Sequence, residues 1–256
     1  MGIYKAESRY VRKNMIVRAF MIISVIVGVF VILFAAGPVR REFETVEFFS
    51  GACIGCIIMA FITPFQYSGY LCSNFENGSI KNIIASGHSR GSFLLVKFLR
   101  QAASAVKCML CYILGTAVTF VILFVFIRRD TALIGFESYF MVDMALKYLM
   151  VCIMLIYFCA LILFISVICT KESLSSLFTL LIIVVDITAT IRLSQTDDYA
   201  WLRDNLYLYK TVMFLEEYSF INSTNSFLSA TIIPLVFTAV LIALSVVVFR
   251  KKDISV

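Results

Sequence analysis

Apolar runs of about 20 residues recur along this chain, and each is long enough to cross a hydrocarbon core of about 30 Å as a helix. Within lipid the backbone has no water to bond, so only helices and closed barrels satisfy it. These runs are continuous rather than alternating, which selects helices over barrel strands. Composition agrees. Only 15% of the residues are charged, against roughly a quarter in soluble domains. The expected fold is an all-α integral membrane protein, one transmembrane domain over residues 1–256.

Six spans are expected, over about 15–36, 49–72, 102–127, 146–169, 174–190 and 229–249. The first is too long for a cleavable signal peptide, and no convincing small-residue cleavage site follows it. Pro64 predicts a kink in the second. Gly51 and Gly55 form a small-xxx-small pair suited to close helix contact. There is no internal repeat of the kind that marks many secondary carriers.

Orientation follows from the Lys and Arg residues flanking the spans. With both termini inside, Lys5, Arg9, Arg12, Lys13, Arg18, Lys81, Arg90, Lys97, Arg100, Lys107, Lys171, Arg250, Lys251 and Lys252 fall on the inner side. Arg40, Arg41, Arg128, Arg129, Lys147, Arg192, Arg203 and Lys210 fall outside, 14 against 8. A multi-pass plasma-membrane protein with cytoplasmic termini is expected. The net charge of +6 then serves the anionic inner leaflet rather than nucleic acid. Arg9, Arg12 and Lys13 lie opposite Tyr4, Val11 and Met15, so residues 1–14 predict a basic amphipathic helix lying on that leaflet. Residues 191–228 interleave aromatics such as Trp201 and Tyr207 with acids such as Asp198 and Glu216. That mixture predicts short extracellular helices at headgroup level.

Eight cysteines lie in or beside the apolar runs, and Cys53/Cys56 and Cys108/Cys111 have CxxC spacing. On a helix that spacing places both thiols on one face. Small, soft residues at helix contacts explain it without a metal. His88 is the single histidine, and no loop could converge four ligands, so no metal site is expected.

The most polar stretch of the first half is Asn74 to Leu99, NFENGSIKNIIASGHSRGSFLLVKFL. Ser79 is a candidate cap, and Gly87 can end a helix in the left-handed conformation. Between them Ile80, Ile83 and Ile84 form one narrow apolar face, with Lys81, Asn82 and Ser86 around the rest. Two turns are too few to be stable alone in water. The helix must dock, and a soluble partner is expected to receive the isoleucine face. Ser89-Arg90-Gly91-Ser92 then restarts a helix that runs into the third span. Lys97, Arg100 and Lys107 form a cationic stripe on it, read either as snorkelling to lipid phosphate or as a polar seam lining a path. In the fifth span Ser175, Thr179, Asp186 and Thr190 share a face. An intramembrane acid marks a candidate substrate path or dimer seam, with ordinary hydrogen bonding between helices as the alternative.

No G-x-x-x-x-G-K-[ST] loop is present to cradle phosphates. No nucleophile–base pair or carboxylate dyad is placed for catalysis either, so the chain is not expected to be an enzyme.

The same stretch resembles the motif F-x-x-G-[ST]-[IL]-K-N followed by [ST]-x-[GP]-x-[ST]-R and a lysine, which follows the second span of type-2 ABC transporter permeases. The ending VVVFRKKDI, Val246 to Ile254, is similar to that family's last-span ending. His88 departs from the family, which has a small or varied residue there. The resemblance implies that Ser79 to Gly87 is a coupling helix, flanked by Glu76, Lys81 and Arg90, that inserts in a groove of a separate ATPase subunit. It also implies two such ATPases carrying ATP and Mg²⁺, a second permease chain, no cofactor on this chain, and export as the activity. Short loops and apolar walls favour amphipathic peptide cargo, such as a modulin-type toxin or a bacteriocin. Drug, sodium, lipid or glycan export stays open. So do two other classes, an ion-coupled carrier and a non-transporting scaffold.

Overall fold

A computed structural model of the protein describes residues 15–36, 68–126, 140–194 and 224–252. Among these residues all regular structure is helical: α1 Met15–Ala36, α2 Ser68–Glu76, α3 Ser79–Ala85, α4 Arg90–Phe126, α5 Phe140–Cys169, α6 Glu172–Ser194 and α7 Thr224–Lys251. Three segments are long and apolar enough to cross a membrane: Arg90–Ile122, Ala145–Cys169 and Thr231–Lys251. The chain therefore has the architecture of a helical membrane protein. The interfacial helix expected at 1–14 and residues 195–223 of the extracellular segment expected over 191–228 lie outside the described residues. So does the part of the second span carrying Gly51, Cys53, Gly55, Cys56 and Pro64. The two ends of the extracellular segment, 191–194 and 224–228, are not loop but part of α6 and α7.

Helix α1 has the bounds expected for the first span. Its apolar stretch, Val17–Val31, is shorter than the three spanning segments. Helix α4 begins well before the expected third span. The Ser89 hydroxyl accepts the Ser92 backbone N–H at 3.2 Å, and the Ser89 carbonyl accepts from the Phe93 N–H at 3.1 Å. Ser89 is thus the N-cap and Arg90 opens the helix. Only two residues, Thr170 and Lys171, separate α5 from α6. Thr170 adopts φ +56°, costly for a β-branched residue. The turn is held by its N–H donating to the Ser166 carbonyl at 3.1 Å and by the Lys171 N–H donating to the Cys169 carbonyl at 2.7 Å.

Helix α5 is the centre of the bundle. Met150, Val151, Met154, Leu155, Phe158, Cys159 and Leu163 are buried on it, which is why its sequence is apolar all round. Helix α7 packs along α5, α1 packs along α4, and α2 sits against α5 and α6. The α1–α4 contact is the most extensive, and it is made at backbone distance. A Cβ on Gly28 would stand 2.6 Å from the Tyr112 carbonyl oxygen, and one on Gly115 would stand 2.6 Å from that of Val25. Only glycine fits at either position, as in other small-residue crossings within membranes. Gly115→Val must push α1 off α4. It is expected to cost about 1–3 kcal/mol and to lower the midpoint of thermal unfolding in detergent, whereas Ala117→Val on the exposed side of α4 should leave the midpoint unchanged.

Candidate functional site

The polar stretch builds one end of the bundle. Helix α3 starts after Gly78, which takes φ +64°, and ends before Gly87, which takes φ +86° as expected for a left-handed stop. Ser79 does not cap it. Its hydroxyl turns back to the Asn74 side-chain oxygen at 3.0 Å, and no side chain caps the helix. Ser86 closes the other end, its hydroxyl donating to the Ile83 carbonyl at 2.7 Å.

The isoleucine face is turned the other way from the expectation. Ile80 is 2% exposed in the hydrophobic core, and Ile83 and Ile84 pack half-buried against that core. Burial in the chain's own bundle therefore explains why they are apolar, at roughly 1.5–3 kcal/mol for a fully buried side chain. The edge left outward carries Lys81, Asn82, Ala85 and Ser86. A partner at this helix meets polar atoms, not isoleucines.

The residues flanking α3 cap the ends of longer helices. The Arg90 guanidinium donates through Nη1 to the carbonyls of Phe249, Arg250 and Lys252, at 3.2, 3.0 and 2.8 Å. These lie at the C-terminal end of α7, where free carbonyls concentrate partial negative charge. The Lys252 ammonium in turn donates to the carbonyls of Val167 and Ile168 in the last turn of α5, at 2.6 and 3.1 Å. Burial pulls this ammonium below the usual lysine range, while Cys169 and Cys72 act in the opposite sense. Glu76, expected to face a partner, instead accepts the Glu172 backbone N–H at 2.9 Å and caps the start of α6. Three aromatic rings fill the space between. Phe75 meets Phe249 edge-on with centroids 5.7 Å apart, and Phe93 lies 6.3 Å from Phe249. The Lys252 ammonium stands 5.6 Å over the Phe75 ring and the Lys97 ammonium 5.7 Å over Phe93, both within cation–π range.

This knot joins α2, α4, α5, α6 and α7 at the end that carries α3. It is built from backbone carbonyls and long-range contacts, so sequence reading missed it. The available signal was the coincidence of a lone Arg within the polar stretch and a basic ending of the last helix.

The cationic stripe divides. Lys97 is 2% exposed, Arg100 half-buried and Lys107 exposed. The three do not share one lining surface. Ser175 and Thr179 are fully buried. Ser175 lies with its hydroxyl 2.9 Å from that of Ser166, beside the Cys72 thiol, which donates to the Ser166 carbonyl at 3.7 Å. They pack α6 onto α2 and α5 and do not line an open path. Asp186 is half-buried farther along the same face, near Tyr157. Thr190 continues the helix, and its side chain lies outside the described residues. Cys108 and Cys111 are in no disulfide, and no cluster of metal-ligating side chains occurs among the described residues.

No protein-family model matches this chain, and no curated protein matches it.

Proposed function

We propose that the chain is the six-span permease subunit of an ABC exporter, moving amphipathic or hydrophobic peptides out of a bacterial cell. Two separate ATPase subunits hydrolyse ATP, and a second permease chain completes the path. The termini and α3 face the cytoplasm. The observation that carries the reading is a short helix whose flanks are bonded to the ends of longer ones. Helix α3 is followed by Arg90, which grips the end of α7, and preceded by Glu76, which grips the start of α6. A push on α3 therefore moves α4, α6 and α7 together, with α5 drawn in through Lys252. A membrane helix that merely rested on lipid would have no need of that wiring. The motif resemblance supports the same reading.

Tagged permease purified in mild detergent from its native membranes is expected to bring down an ATPase whose hydrolysis rises with cargo. A purified native complex without ATP hydrolysis would overturn the proposal. The outward edge of α3 supplies the finer test. Lys81→Glu reverses a charge on the rim of the contact, where charges act mainly on encounter. It is expected to weaken ATPase retention about tenfold, equivalent to about 1.4 kcal/mol, with the permease's own unfolding midpoint unchanged. Retention by affinity pull-down and the melt together check it.

A further inference from the structure

One corner of the knot holds two thiols around one ammonium. Cys72, on α2, is fully enclosed, and its thiol donates to the Ser166 carbonyl at 3.7 Å. Ser166 lies one turn before Cys169 on α5, and side chains three residues apart on a helix are neighbours. Cys169 is only partly enclosed, and neither thiol is in a disulfide. The Lys252 ammonium bonds to the carbonyls of Val167 and Ile168, the two residues before Cys169. The same ammonium stands over the ring of Phe75, one turn after Cys72. Two separate sets of contacts, one through Ser166 and one through Lys252, thus bring the same stretches of α2 and α5 together. The two thiols and the ammonium are near enough to act electrostatically on one another.

The exposures differ in the way a reactive pair needs. A small oxidant reaches Cys169, while Cys72 is shielded behind it. An ammonium beside a thiol stabilises the negative sulfur left when the proton departs, and that thiolate is the reactive form.

We infer that Cys169 and Cys72 form a redox pair, closed by hydrogen peroxide into a disulfide that fastens the end of α2 to the end of α5. The Cys169 thiolate attacks one peroxide oxygen. An S–O bond forms, the O–O bond breaks, and the departing hydroxide takes up the thiol's proton and leaves as water. The sulfur is oxidised to the sulfenic acid and the peroxide is reduced. Cys72 then attacks that sulfur. The S–S bond forms, the S–O bond breaks, and a second water carries off the Cys72 proton. Two thiols and one peroxide give one disulfide and two waters. Small thiols in a reducing compartment reopen the bridge by exchange. Glu76, one turn beyond Cys72, caps α6, so closure ties α2, α5 and α6 into one unit. The inference concerns the chain alone and does not depend on the permease reading.

The test treats membranes carrying the full-length chain with hydrogen peroxide, blocks the remaining thiols with a maleimide under denaturing conditions, and identifies linked peptides by mass spectrometry. A peptide pair joined through Cys72 and Cys169 is expected, lost on reduction and absent from Cys72→Ser and Cys169→Ser. A chain keeping only these two of its eight cysteines should give the same link, which separates it from exchange with the others. Lys252→Gln should slow closure several-fold. The oxidised chain should unfold at a higher temperature than the reduced one, and Cys72→Ser should abolish that difference. Both thiols still open to maleimide after peroxide overturns the inference. Cys169 driven to the sulfinic acid with Cys72 unlinked also overturns it, as does a link between the Cys169 residues of two copies.

Discussion

Arg90→Ala is expected to uncouple the protein while leaving its helices inserted. One guanidinium nitrogen serves three carbonyls at the end of α7. Hydrogen bonds from a charged donor contribute about 1.5–3 kcal/mol each when single and enclosed. Here one nitrogen is shared and water reaches part of the cluster, so the sum is not reached. A loss of about 3 kcal/mol is the expected magnitude, a sizeable part of a typical stability of about 5–15 kcal/mol. Arg90→Lys keeps the charge but loses the planar fork, and should recover only part of the loss. The expected results are a lower unfolding midpoint in detergent and, in the exporter proposed above, ATP hydrolysis that no longer rises with cargo. An Arg90→Ala protein with unchanged melting and full cargo stimulation would show that the bond between α4 and the end of α7 transmits nothing.

What could be read in the sequence, and what could not, divides along the range of the interactions. The bounds of α1, the short helix near 79–87 and its glycine stop follow from hydropathy and from residues adjacent in the chain. The turn at Thr170 does not, because nothing local recommends a threonine for a left-handed position. The α1–α4 crossing has a signal in Ser24-x-x-x-Gly28 and Cys111-x-x-x-Gly115, no different in kind from the Gly51/Gly55 pair. Periodicity also gave no direction. It showed that Ile80, Ile83 and Ile84 share a face and that the face must be covered, yet it could not say whether the cover was a partner or the chain's own core. Lys97 shows the same limit from the polar side. In sequence it joins a cationic stripe that reads as snorkelling or as a polar seam, but here its stem is enclosed and its ammonium sits over Phe93.

That direction is open to the second large prediction. Ile80 is fully enclosed at the seat of α3. Ile80→Glu removes roughly 1.5–3 kcal/mol of apolar burial and places a carboxylate where no donor is arranged to meet it, at a further cost of several kcal/mol. A loss of about 5 kcal/mol is expected, enough to lift α3 from the bundle and lower the melting midpoint of the isolated chain. Ile80→Met keeps the volume and should cost less than about 1.5 kcal/mol. The contrast with Lys81→Glu, the next residue, carries the argument. That side chain points outward, so its change should spare the melt and weaken only the partner. The two neighbours should separate cleanly, one affecting the chain alone in detergent and the other affecting only the proposed complex. If Ile80→Glu melts like the original chain but releases the ATPase, the isoleucine face is the docking face after all, and α3 is seated the other way round.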